Sequence, residues 1–284
     1  MTLRNGLLFA IAALALIFIV KWRRAATGPQ RPTPIQIAIG FVTDFFDTLG
    51  IGSFATTTTA YKVLTLVPDE KIVGTMLIGH SLPVVVQAFI FIVAVDVDPV
   101  VLVSLIAVSI LGSWLGSGVA TKLPRQPIQI FMGIGLFAAA FFMLLSQLGM
   151  FPSGGTALTL PTGKLVIALV VNFILGITLM LGIGSYAPSL ILISVLGMDP
   201  RAAFPIMMSS GAMMAMAGSF EFMKAGRFDH RAALGLLIGG IPGVLIAGLI
   251  IRSLPLDVLR WMVVLVVVYA ATTMIRSAIA ARRS

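Results

Sequence analysis

Cysteine does not occur in this sequence of 284 residues. Disulfides, thiolate nucleophiles and cysteine-ligated metals are therefore excluded. Histidine occurs twice, at His80 and His230, which leaves little for a conventional metal site, and neither a metal nor a cofactor is expected. Charge is scarce too. Asp, Glu, Lys and Arg make up 10% of the chain and apolar residues 59%, whereas a soluble domain carries about 25% charged residues. A water-facing surface cannot be assembled from that mixture. A bilayer accepts it, and there only helices and closed barrels satisfy their own backbone. The apolar runs are long and unbroken rather than alternating, which selects helices over a barrel.

The charge that is present is mostly basic, with a net of +9. Lys and Arg lie at the ends of apolar runs, not along a stripe between aromatics. That is the cytoplasmic excess of a bilayer protein and not a nucleic-acid surface. The first apolar run, Leu7 to Val20, is followed by Lys21, Arg23 and Arg24 rather than preceded by such a cluster. It reads as an uncleaved helix with its N-terminus outside, not as a signal peptide. Further helices are expected near 35–49, 53–66, 71–95, 98–121, 126–148, 165–181, 185–197, 202–223, 231–252 and 256–276. Trp22, Trp114 and Trp261 read as interfacial anchors.

An internal repeat organises these segments. Leu49-Gly50-Ile51-Gly52-Ser53-Phe54-Ala55 recurs as Leu181-Gly182-Ile183-Gly184-Ser185-Tyr186-Ala187, at an offset of 132. The register carries Pro68 onto Pro200, Met76 onto Met208 and Gly79 onto Gly211. After the loss of one residue it carries Gly112 onto Gly243 and Leu123-Pro124 onto Leu254-Pro255. The expected fold is all-α and polytopic: residues 1–34 an extra N-terminal transmembrane helix with a basic linker, 35–150 and 151–284 two transport repeats within one membrane domain. Each repeat has a broken or re-entrant helix pair plus three transmembrane helices.

The segments beside each motif run to about 14 residues, while a crossing takes about 20. If each pair returns to the side it came from, every unit crosses an odd number of times and the two units are inverted. The inner side then holds thirteen Lys and Arg and the outer side five. The C-terminus is cytoplasmic in that arrangement. Two short full crossings per pair give the same sidedness; a single broken crossing gives a weaker bias.

A Gly-x-Gly break within an apolar segment frees backbone groups, tolerated only in protein or beside a wet cavity. Ser53 and Ser185 then stand at helix N-termini, whose unpaired N–H groups and partial positive charge receive anions. Two such ends meeting near the midplane are the binding device of inverted-repeat transporters. Gly50, Gly52, Gly182 and Gly184 permit the turns, and Ser53, Ser185, Thr56 and Thr57 offer hydroxyls to an oxyanion. The alternative is a helix-packing motif; packing is the preferred reading for Gly112, Gly116 and Gly118. Asp44 and Asp47, three apart, share a helix face and suit a proton-coupling site, or else form an exposed pair at a helix entrance or a pair that caps and positions the break. Lys62 could hold the anion, pair with Asp47 or snorkel to the interface. His80 is a substrate or proton ligand or a hydrogen-bonded structural residue, with Ser209 and Ser210 in the corresponding stretch of the second unit.

The stretch Gly40-Phe41-Val42-Thr43-Asp44-Phe45-Phe46-Asp47-Thr48-Leu49-Gly50-Ile51-Gly52 and its echo Leu181-Gly182-Ile183-Gly184 resemble the signature of the sulfite exporter TauE/SafE permeases, over about residues 35–278. The resemblance implies an inner-membrane permease for a small anion: sulfite, thiosulfate, a C2 sulfonate or another organic acid. It differs in carrying Ser53-Phe54-Ala55 and Ser185-Tyr186-Ala187 where the family often has a longer glycine run, in its Thr56–Thr59 run and in its first helix. The partners expected are the anion, the lipid bilayer and protons. A passive anion channel is the competing function; a membrane-embedded enzyme would need a nucleophile and base that the sequence does not display.

Overall fold

The computed structural model describes residues 3–25, 31–150 and 154–250, with isolated positions between 268 and 279. Among the described residues there are ten α-helices and no strand: α1 (Leu3–Ala25), α2 (Pro34–Thr48), α3 (Ser53–Val63), α4 (Asp69–Ala94), α5 (Pro99–Ala120), α6 (Arg125–Gln147), α7 (Thr162–Met180), α8 (Tyr186–Val195), α9 (Ala203–Lys224) and α10 (His230–Ile250). The helix expected at 256–276, and Trp261 with it, lies outside the described residues. Among the described residues, seven segments are long and apolar enough to cross a membrane: α1, α4, α5, most of α6, α7, Pro200–Lys224 and most of α10. The protein is a multi-pass membrane protein.

Local chemistry explains the helix starts. Thr33 opens α2 with a capping box, its hydroxyl accepting from the Gln36 N–H while the Gln36 side chain accepts from the Thr33 N–H, and Pro34 fills the first helical position. Asp98 caps α5 by accepting from the N–H groups of Val100 and Val101, with Pro99 at the first position.

The helices before the two breaks differ in length. α2 has 15 residues, about 22 Å at 1.5 Å per residue, and is short as expected. α7 has 19, about 28 Å, and is itself long enough to cross. The extra length is at its N-terminus, where Pro161 and Thr162 start the helix four residues ahead of the position equivalent to Pro34.

Side-chain contacts fix the direction of each helix. On α3, Thr57 meets His80, Thr58 meets Met76 and Lys62 meets Asp69, so α3 runs antiparallel to α4. On α2, Asp44 meets His80 and Asp47 meets Gln87, so α2 runs parallel to α4. α2 and α3 are thus a hairpin. α7 and α8 fold back likewise, since the Lys164 ammonium near the start of α7 donates to the Leu196 carbonyl just past the end of α8.

Close helix contacts rest on glycine. A Cβ at Gly112 of α5 would strike the Phe173 carbonyl of α7, and one at Gly243 of α10 would strike the Phe41 carbonyl of α2. In membranes such close approach replaces the hydrophobic drive, because lipid is as apolar as leucine. Gly116 packs the same way, on Ile177, while Gly118 faces open space.

α1 is secured across α9 and α10. Trp22, expected at the interface, is instead 5% exposed and donates its indole N–H to His230 Nδ1 at 3.1 Å, while Lys21 lies 4.4 Å from the Phe220 ring centroid. Trp114 is exposed.

The ends of α3 and α8 form one motif with different residues. Leu66 N–H donates to the Tyr61 carbonyl as Met198 N–H does to Ile193, and the residue at the turn has φ +50 at Thr65 and φ +87 at Gly197. The left-handed conformation costs a side-chain-bearing residue about 1–2 kcal/mol. Thr65→Gly should therefore stabilise the detergent-solubilised protein by about 1 kcal/mol, part of the relief being lost to glycine's unfolded-state entropy. A lowered melting temperature would contradict this.

Candidate functional site

Both breaks are built by the same hydrogen bonds. At the end of α2 the N–H groups of Leu49 and Ile51 donate to the Phe46 carbonyl and that of Gly50 to Asp47. At the end of α7 those of Leu181 and Ile183 donate to Thr178 and that of Gly182 to Leu179. These are glycine-terminated helix ends, and φ is +86 at Gly50 and +89 at Gly182. The restarts differ by one residue. Ser53 is the first residue of α3, whereas Ser185 is the N-cap of α8 and Tyr186 its first residue.

The two breaks face one cavity, with about 870 Å³ of empty space including its open mouth. Gly52, Ser53, Gly182, Gly184 and Ser185 line it with Asp47, His80 and Tyr186, and α6 closes one wall with residues between Gly135 and Phe142. A Cβ on Gly184 would lie 3.6 Å from the Phe54 Cβ, so the tips of the two hairpins oppose each other. No lysine or arginine is among the described residues that line the cavity. The remaining wall is mostly aliphatic and aromatic: Ile51, Phe54, Val84, Leu136, Phe142 and Leu179.

The expected acidic pair is separated by its partners. Asp44 is fully buried, with both carboxylate oxygens 2.9 Å from His80 Nδ1. Its path past α10 depends on Gly240, where a Cβ would collide with the carboxylate. On the other side of the ring, His80 Nε2 lies 2.9 Å from the Thr57 hydroxyl, and which of the two donates follows the number of protons on the imidazole. Acid, imidazole and hydroxyl form a chain, a constellation the sequence did not display. Thr57 is 0% exposed and does not line the cavity, so no substrate atom reaches its oxygen in this conformation.

Asp47 takes a different set. Its Oδ1 accepts from the Ser53 N–H at the start of α3, and its Oδ2 accepts from the Gln87 amide at 2.9 Å. The Tyr186 hydroxyl is 3.1 Å from the same Oδ2, 3.2 Å from Gln87 Oε1 and 2.8 Å from Met208 Sδ, and its one proton serves one of them at a time. A carboxylate of the chain's own therefore occupies the amino end of α3.

Other expected residues lie outside the cavity. Lys62 does not pair with Asp47. Its ammonium binds both oxygens of Asp69 at 3.0 and 2.8 Å, and Arg125 and Gln129 of α6 converge on the same carboxylate. The physical reason is the direction of α3, which carries Lys62 away from the break to the start of α4. Thr56 returns its hydroxyl to the Gly52 and Ser53 carbonyls. A Cβ on Gly50 would meet the Phe204 ring. Ser209 and Ser210 are buried, with hydroxyls that have no partner among the described residues, next to the cavity-lining Gly211. Tyr186 and Gln87 were missed as site residues. Gln87 left a signal, an amide within the apolar run of α4; the tyrosine's reach into the other half left none.

The chain matches the family described as Sulfite exporter TauE/SafE over residues 2–143 and 164–284. Among curated proteins and solved structures nothing matches.

Proposed function

The chain belongs to the sulfite exporter TauE/SafE family, a family of membrane transporters, and from that premise we propose that it is a secondary transporter exporting a small anion: sulfite, thiosulfate, a C2 sulfonate or another organic acid. The anion sits between the two breaks, on the amide groups of the α8 end, with the hydroxyls of Ser53 and Ser185. The observation that carries this reading is the cavity lined by both Gly-x-Gly-Ser stretches and, among the described residues, by no lysine or arginine. Such a lining offers an anion oriented dipoles without a counter-ion to trap it.

The two halves act as inverted repeats, with the basic linker and the C-terminus inside. Parallel packing of α2 on α10 and of α7 on α5 supports this. The first makes α10 parallel to α2. α5 returns antiparallel to α4, and hence to α2, so α7 opposes α2. Rocking of one half against the other exposes the cavity alternately. Ser209 and Ser210, buried without partners, supply hydroxyls when that motion brings them to the cavity.

Coupling protons reside on the Asp44–His80–Thr57 chain. His80 lines the cavity while Asp44 lies behind it. Asp44→Asn keeps an acceptor for His80 and removes the ionisable carboxyl. In proteoliposomes it should retain flux down an anion gradient and lose the response to an imposed pH gradient. A pH response equal to that of the unaltered protein would remove Asp44 from coupling.

The direct test of the site is Gly184→Leu. A Cβ at this glycine meets only the Phe54 Cβ, at 3.6 Å, so a leucine there projects toward Phe54. Binding of sulfite and thiosulfate, read by calorimetry on purified protein, should fall beyond detection while the melting temperature holds within a few degrees. Retained binding refutes the site. Flux that never saturates and ignores the pH gradient would identify a channel instead.

A further inference from the structure

The two breaks match in backbone and differ in charge. At the amino end of α3 the Asp47 carboxylate accepts from the Ser53 N–H. The equivalent position before α8, at the same offset of 132, is Leu179, and its side chain accepts nothing. Ser185, the N-cap of α8, is 4% exposed, lines the cavity and makes no capping hydrogen bond; its hydroxyl has no partner among the described residues. One helix end is filled by a carboxylate of the chain, and the other presents an unused buried hydroxyl to the same cavity.

Granted the anion site between the breaks, we propose that Asp47 sets the charge pattern of the substrate: its tethered carboxylate stands at α3 in place of a second anionic group, so the site takes one anionic head at α8 and rejects a ligand anionic at both ends. The Tyr186 side chain joins the two ends. It is the first residue of α8, and its hydroxyl lies 3.1 Å from Asp47 Oδ2. A ligand seated at α8 therefore has its far end beside Asp47. A neutral far end is tolerated there, and an ammonium is attracted. A carboxylate meets a like charge in a poorly solvated space, where repulsion is much stronger than in water. The groups facing Asp47 from the elements around it are the Ser53 N–H of α3, Gln87 of α4 and Tyr186 of α8, all donors, with Asp44 and His80 one turn away. None of them carries a fixed positive charge that could cancel the carboxylate for an incoming anion.

Three sulfonates of one length test the idea: taurine, ethanesulfonate and sulfoacetate have cationic, neutral and anionic far ends. Binding to the purified full chain is read as competition with radiolabelled sulfite. The unaltered protein should bind taurine at least as well as ethanesulfonate and sulfoacetate at least tenfold more weakly. Asp47→Asn keeps an acceptor for the Ser53 N–H and removes the charge, so the series should flatten and sulfoacetate should gain about tenfold. Two results overturn the proposal: sulfoacetate binding as tightly as ethanesulfonate to the unaltered protein, which needs no variant to fold, or an unchanged order in a folded Asp47→Asn. Sulfite binding without competition by any of the three also overturns it while leaving the site between the breaks standing. Absence of sulfite binding removes that site and this assignment together.

Discussion

Gly52→Leu is expected to abolish anion flux in proteoliposomes while the protein still inserts and purifies as a folded species. Two effects act at this residue. Its φ is +86 and its ψ 124, a region nearly exclusive to glycine, so any side chain costs about 1–3 kcal/mol through the backbone. Nothing lies within 4 Å of a Cβ built there, so the leucine meets no wall and extends into the cavity between the breaks. The first effect is a modest loss of stability, small against the 5–15 kcal/mol of a typical fold. The second removes the space the anion needs. Gly52→Ala separates them: it bears the same backbone cost with one methyl, and should keep a measurable fraction of flux with a comparable drop in melting temperature. If the leucine variant transports within twofold of the unaltered protein, the break does not bind substrate.

His80→Ala is expected to have the largest effect on stability. It leaves the Asp44 carboxylate, 0% exposed, without its only side-chain partner among the described residues and strips the Thr57 hydroxyl of its hydrogen-bond partner. Removing one member of a buried pair costs about 3–5 kcal/mol, because the remaining group is left uncompensated. The alternative of a merely decorative histidine predicts under 1 kcal/mol. Removing both members should hurt less than removing one. The double variant His80→Ala with Asp44→Ala is thus expected to melt above His80→Ala alone. Thermal unfolding of the three proteins in one detergent decides the matter, and a double variant that is worse by the sum of the singles contradicts it.

The helices and their breaks were readable because lipid leaves few options. Unbroken apolar runs, Pro99 after Asp98 and the repeated Leu-Gly-Ile-Gly each carry a local physical signal. The observed bounds of α2 and α9 fall within a residue or two of those expected. Partner choice was less legible. Asp44 and Asp47 share a face, as a spacing of three requires, yet that spacing does not say that one would find an imidazole and the other a helix end. Lys62 sits seven residues before Asp69, separated by a turn at Thr65 whose positive φ nothing in the residue type announces. Tyr186 lies 139 positions from Asp47, and only the packing of one half on the other puts them together.

The cavity's freedom from lysine and arginine has a consequence for how such a protein is regulated and how it evolves. Peptide dipoles have no proton to lose, so the attraction they provide stays constant from acid to alkaline conditions. They also belong to the main chain, so no exchange of one residue for another, short of proline, deletes them. Chemical variety among related carriers would then arise from what is set around a permanent electrostatic floor, with the floor itself inherited unchanged.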